Sequence, residues 1–293
     1  MSNIDFIQEE KAADIGNFLV GRLLPFRQKR TIGPFVFIDH MGPACLADYQ
    51  NLDVAPHPHI GLSTLTYLFD GAITHRDSMG NEIEIHPGAV NWMTAGRGVT
   101  HSERTPEYLR TRDKFLHGLQ IWVALPKELE FMEPEFYHVD APDIPAWSDG
   151  DVSYKLIAGE AFGKRSKVPV YSPLYMLEIT AAKDVTIDIG DQLFGESGLY
   201  ILDGEIKNLG HTYGSKQILI TKDAHLCSFS MKAGTTVYIF GGEAFVEERF
   251  IFWNFVATDK QTIEGAKELW RNHQFPRVPN DEGYVPLPET HLK

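Results

Sequence analysis

Leu65-Thr-Tyr-Leu-Phe-Asp-Gly71 and, much later in the chain, Leu199-Tyr-Ile-Leu-Asp-Gly-Glu205 carry the same signal, an apolar strand that stops at Asp-Gly. The first copy alternates from Ser63 to Phe69 with the side-chain period of a β-strand before the turn pair breaks it. Around it, residues 73–76, 82–85, 90–93 and 118–125 read as further strands, separated by loop signals at Asp77-Ser-Met-Gly80-Asn81 and Pro87-Gly88. Around the second copy, residues 174–180, 185–189, 198–202, 217–220 and 235–240 read the same way. Many short strands at this spacing indicate a sandwich or barrel, and the echo indicates a duplication. The expectation is an all-β chain of two consecutive antiparallel β-barrels. Residues 1–130 would form the first and 131–145, with Pro134, Pro142 and Pro145, a linker. Residues 146–293 would form the second barrel with a short C-terminal helix and tail. Thr258 and Gln261 fit a capping box for that helix, with Ile263, Ala266, Leu269 and Trp270 as its apolar stripe.

Composition narrows the function. A chain of 293 residues with 43% hydrophobic and 23% charged side chains has the make-up of a globular protein. Its net charge of −13 argues against direct nucleic-acid binding, which needs a basic face. No stretch is apolar for long enough to suggest a membrane span, and the acidic first ten residues do not read as a signal peptide. Cys45 and Cys227 are too few for a disulfide framework and read as small buried side chains, so the expected setting is the reducing cytoplasm.

Two further motifs carry chemistry. His57-Pro58-His59 and His101-Ser102-Glu103 each place two donors at i and i+2, on one face of a strand. Facing one another, they supply three imidazoles and a carboxylate, the ligand set of a divalent transition metal with open positions. The scattered His211, His225 and His273 form no such pair, so the second barrel is expected to hold no metal.

Taken in order, Phe37-Ile-Asp-His-Met-Gly-Pro43, His57-Pro-His59, His75-Arg-Asp-Ser-Met-Gly-Asn81, Asn91-Trp-Met-Thr-Ala-Gly-Arg-Gly98, His101-Ser-Glu103 and His117-Gly-Leu-Gln-Ile-Trp-Val123 resemble the pirin family of two-domain cupins. Trp253-Asn254-Phe255 extends the likeness more loosely into the second half. The resemblance implies a bicupin, a pair of double-stranded β-helix barrels. It also implies one metal, usually iron, held in the N-terminal barrel by His57, His59, His101 and Glu103. Several members of the family show quercetin 2,3-dioxygenase activity, and an animal nuclear member is instead an iron-dependent transcriptional co-regulator. Two positions depart from the pattern. Where a general cupin supplies a carboxylate after its His pair, this chain has Ser63 and Thr64, which leaves Glu103 as the fourth donor. Position 60 is Ile60 where pirins commonly carry Arg, which removes a basic residue from the expected pocket mouth.

The expected function is a metal-dependent dioxygenase acting on a flavonol-like enol and dioxygen. The metal is iron(II), with nickel, manganese, copper or zinc as alternatives. Glu103 would act as ligand and as the base that takes the enol proton, with Phe35, Phe37, Trp92 and Met93 as candidate walls. The alternatives are a redox-sensing module that binds a protein partner and a sugar isomerase.

Overall fold

The computed structural model describes residues 4–15, 18–221 and 228–288. The chain divides into two compact units, each an antiparallel jelly roll of one large and one small sheet that do not close into hydrogen-bonded barrels. One short helix, Lys260–Arg271, lies near the C-terminal end. Among the described residues no helix is long and apolar enough to cross a membrane. Cys227 and His225 fall outside the described residues.

The strands follow the sequence pattern closely. Leu62–Asp70 and Glu196–Asp203 are the two echoing segments, and each ends at a glycine with positive φ, Gly71 at 88° and Gly204 at 83°. Each also occupies an interior position in its large sheet. Leu62–Asp70 lies between Val90–Thr94 and Lys114–Ala124, and Glu196–Asp203 between Gln217–Thr221 and Thr236–Gly242.

Membership of the units departs from a sequential division at residues 131–145. The first unit comprises Met1–Ala13, Val20–Asp39 and Val139–Phe245, and the second Asp14–Leu19, His40–His138 and Val246–Lys293. Sheet edges explain this. Ile4–Glu9 adds to the edge strand Gln217–Thr221, pairing Ile7 with Leu219 and Gln8 with Ile218. At the other end of the chain, Phe255 bridges to Ile60. An edge strand left open is a site for unwanted pairing, and Ile4–Glu9 covers one.

In the first unit the space between the sheets is filled by apolar side chains, among them Leu156, Leu177, Leu199, Ile201, Leu219 and Phe229. In the second, the small sheet orders Asp53–His59, Val99–Arg104, Ile73–Asp77 and Glu82–Ile85. The helix covers this unit with Ile263, Ala266 and Trp270, while Leu269 stays 46% exposed. Its N-cap is Asp259, one residue beyond the expected Thr258, because the Asp259 carboxylate accepts the Gln261 N–H at 2.9 Å. Thr258 is drawn away to the buried Glu130, to which its backbone N–H and hydroxyl both donate. Ile60 also differs from expectation. Alternation turns it away from His57 and His59, and it lies buried in the cluster of Phe255, Ile263 and Trp270 beneath the helix. Cys45 is exposed, not buried, because the end of strand Phe35–Leu46 runs out to solvent.

Gly61 fixes the end of the first histidine strand. Its φ is +67°, and an added Cβ would overlap the Val256 carbonyl oxygen. Gly150, at φ +55°, has open space around it. Gly61→Ala is therefore expected to cost at least about 2 kcal/mol through strain plus overlap, and Gly150→Ala about 1 kcal/mol through strain alone. Urea unfolding of the two variants checks this, and equal losses would contradict it.

Candidate metal centre

Strand pairing brings the two motifs together. In the antiparallel ladder of Asp53–His59 with Val99–Arg104, His101 lies opposite His57 and Val99 opposite His59. The imidazoles of His57, His59 and His101 converge, with one nitrogen from each within 4.8 Å of the others. All three rings are buried. Glu103 shares the strand, but its carboxylate is not in this group. Its Oε1 lies 3.5 Å from the Thr66 hydroxyl, which is better placed to donate to Gln120 Oε1 at 2.9 Å.

The outer ring nitrogens decide what the inner ones offer. His57 Nδ1 lies 2.9 Å from the Ala55 carbonyl oxygen and His59 Nδ1 lies 3.2 Å from that of Asn254. A carbonyl oxygen only accepts, so both rings carry their hydrogen on Nδ1 and present a lone pair at Nε2. His101 Nε2 stands 3.1 Å from His59 Nε2, and its Nδ1 stands 3.3 Å from His75 Nδ1.

Burial sets the charge state. Desolvation, offset only in part by the Ala55 carbonyl, lowers the His57 pKa to about 4. His59 and His101 are held well below the ordinary histidine value by burial first and by neighbouring imidazoles second. Neutral imidazole is the form that ligates a metal. The 3.1 Å approach of two Nε2 atoms matches the ~3 Å expected for adjacent donors at right angles with bonds of about 2.1 Å. These residues therefore fit a divalent transition metal. Glu103 is pushed the other way: burial raises its pKa, against smaller opposing effects of His75 and the Thr66 hydroxyl.

The surroundings are partly those expected. Thr66, Gln120 and Trp122 reach the site from the large sheet, the Trp122 ring edge-on to His59 at 5.2 Å. Met93 pairs with Thr64 and packs with Phe136, whereas Trp92 pairs with Leu65 and so points to the opposite face. Phe35 and Phe37 are corrected: they pack in the first unit, Phe35 against Phe240 and Phe37 under Arg22. Sequence reasoning also missed His75, which contacts His101, and Asn254, whose carbonyl holds His59. Both lie in motifs already visible in the sequence, without a role.

Comparison with known proteins places the chain in a family. The pirin family model matches residues 17–123, and the pirin C-terminal cupin domain model matches residues 175–276. A pirin-like protein of Caulobacter vibrioides is 45% identical over 290 residues, covering 98% of this chain and all of the relative. A Pseudomonas aeruginosa protein provisionally named quercetin 2,3-dioxygenase is 36% identical, covering 93% of this chain and 86% of that one. The crystal structure of quercetin 2,3-dioxygenase from Acinetobacter baumannii superposes with a TM-score of 0.88 at 35% identity, covering 98% of this chain and 97% of that one. The chain belongs to the pirin family and has its bicupin fold.

The depressed histidine pKa values predict acid sensitivity of the metal-free protein. Below pH 6.5 the unfolded chain binds protons that folded His57 refuses until about pH 4. Stability therefore falls as pH drops through that window, by about 3 kcal/mol from His57 alone. His59 and His101 add to the slope, and Glu103, raised by burial, opposes it. Urea midpoints of chelator-treated protein between pH 7 and 4 measure the effect; a flat profile would contradict the neutral, buried assignment.

Proposed function

We propose that this pirin is a metal-dependent dioxygenase that opens the ring of flavonol-like enols. The observation that carries the proposal is the convergence of three buried imidazoles, with a buried carboxyl group of raised pKa two residues along the strand from His101. Similarity to proteins bearing the quercetin 2,3-dioxygenase name supports the choice of substrate class. His57, His59 and His101 would hold one divalent transition metal, iron(II) in this reading, with Glu103 as fourth donor. Bound there, the metal supplies Lewis acidity toward the enol oxygen and redox chemistry toward dioxygen.

The remaining roles fall to the protein. A substrate would approach the metal beside Glu103, whose carboxylate is buried with the three imidazoles. Glu103 takes the enol hydroxyl proton on its carboxylate. Burial makes that carboxylate more basic than in water, as a base working near neutral pH requires. Thr66 and Gln120 offer hydrogen bonds to substrate oxygens, and Trp122 and Met93 supply apolar surface that limits water. An exposed thiol at Cys45 suits a reducing cytoplasmic setting. The acidic balance, with a net charge of −13, favours a small-molecule role over a nucleic-acid one.

Oxygen uptake with quercetin, measured on iron- and nickel-loaded protein, tests the activity. Glu103→Gln should keep metal through the three histidines and lose about 10²- to 10⁴-fold in rate, because an amide cannot accept the proton. His101→Ala should instead lose metal, read by elemental analysis. Full activity in Glu103→Gln would remove the base assignment, and a metal-loaded wild type inert toward quercetin and other enols would remove the dioxygenase reading.

A further inference from the structure

His75-Arg76-Asp77 repeats the i, i+2 logic of the metal ligands on the strand next to them. His101 pairs with Asp77 and Glu103 with His75 across that ladder, while Arg76 turns to the opposite face and binds Glu82. His75 and Asp77 are both buried, 3% and 0% exposed. Neither belongs to the group of converging donors.

The direction of every hydrogen bond in this cluster follows from its far end. Asp77 Oδ1 lies 2.9 Å from the backbone nitrogen of Met79 and 3.1 Å from that of Asn81, and backbone N–H groups only donate. Asp77 Oδ2 accepts from the Asn81 side-chain amide at 2.8 Å. With N–H donors aimed at both of its oxygens, this carboxylate is an acceptor throughout. His75 Nε2, 3.2 Å from Asp77 Oδ2, must then be the donor. A neutral ring that donates from Nε2 has a lone pair at Nδ1. His101 Nδ1, 3.3 Å from that lone pair, is attracted to it only if it carries the hydrogen. Phe136, stacked on His75 at 4.6 Å with ring planes 20° apart, holds the relay ring in plane.

We infer that His75 and Asp77 are positioning residues that fix the proton of His101 on Nδ1 and so keep its Nε2 lone pair turned to the metal. The inference rests on the metal-site reading above. It has a consequence for the 3.1 Å contact between His59 Nε2 and His101 Nε2. His59 is already committed to a lone pair there by the Asn254 carbonyl. With His101 committed as well, neither ring can donate to the other, and only a cation between them makes the contact favourable. The hydrogen-bond string thus makes the pair a site for a metal ion and not a hydrogen-bonded histidine dyad.

Asp77→Asn separates this role from a structural one. The asparagine oxygen keeps the backbone N–H donors of Met79 and Asn81, which turns the amide nitrogen toward His75. Asn81 must then turn its amide oxygen toward the new nitrogen, which donates into His75 Nε2, moves the His75 hydrogen to Nδ1 and forces the His101 hydrogen onto Nε2. Two measurements on the full, metal-stripped chain read the result. Imidazole ¹⁵N shifts should show His101 as the Nδ1–H tautomer in the wild type and the Nε2–H tautomer in Asp77→Asn. Calorimetric titration with nickel(II) should show affinity lower by about ten- to a hundredfold in the variant. His75→Phe, which keeps the stack on Phe136 and removes the acceptor, should lose affinity to a similar degree. Unchanged nickel affinity in a folded Asp77→Asn would overturn the inference. So would an Nε2–H tautomer of His101, or a doubly protonated His75, in the wild type, and that measurement decides the matter even if the variants fail to fold. A wild type with the Nδ1–H tautomer that binds nickel(II) but turns over no flavonol would support the string and sink the dioxygenase proposal alone.

Discussion

Three imidazoles buried within 4.8 Å of one another, with their lone pairs turned inward, are the constraint to which the second unit is built. Left without partners, such groups repel and are costly to desolvate. Burial removes the option of charge, which would turn the repulsion between lone pairs into a larger one between cations. What remains is to anchor each outer nitrogen on an acceptor. Three acceptors of different origin do so: a carbonyl two residues earlier on the same strand, a carbonyl from the distant Trp253–Phe255 turn, and a second histidine on the neighbouring strand. Each draws a different part of the chain into the site. This accounts for the grouping of residues 246–293 with 40–138 better than a division along the sequence does.

The two units show what that constraint adds to a common architecture. Both place their echoing strand between two others in a large antiparallel sheet, and both end it at a glycine turn. In the first unit the described interior is mostly aliphatic and aromatic, with Leu, Ile and Val packed beside Tyr154, Tyr175 and Tyr213. In the second, Thr66, Gln120, His59 and His101 occupy the equivalent space, and each of these polar atoms is tied to another. A polar interior of this kind is tolerated only when its hydrogen bonds are nearly complete. The cost is met by the backbone of the small sheet and of the 253–255 turn.

Much of this is legible in the sequence, and what is not has a physical reason. Strand positions follow from alternation and turn pairs, local signals that survive folding. The residues from 62 to 104 are read almost to the boundary, as with Glu82–Ile85. The histidine pairs are legible because i and i+2 share a face whatever the sheet does later. Membership of the units is not, because the pairing of Ile4–Glu9 with Gln217–Thr221 spans most of the chain and leaves no local mark. The same reason hides the placement of Phe35 and Phe37, since an apolar strand does not say which core it enters. Ile60 adjoins the histidines in sequence, yet the same alternation that turns His57 and His59 inward sends it outward under the helix.

The hardest element to foresee is the acceptor for His59, and it shows where sequence reasoning has to stop. Asn254 contributes a carbonyl oxygen, a group every residue has, so the identity of the side chain says nothing of its role. What betrays the position is conformation. Trp253 sits at φ +51°, in the left-handed region that bulky residues avoid at a cost of order 1 kcal/mol or more. The turn between Phe250–Phe252 and Phe255–Ala257 accepts that strain while the Trp253 ring packs against Phe255 and Trp270. Phe255 in turn bridges to Ile60, the residue next to His59. A chain of apolar contacts thus fixes the height of the turn, and the strained residue aims the carbonyl that follows it. The tautomer of His59 is set, at that end, by the packing of Trp253 against Trp270 of the helix.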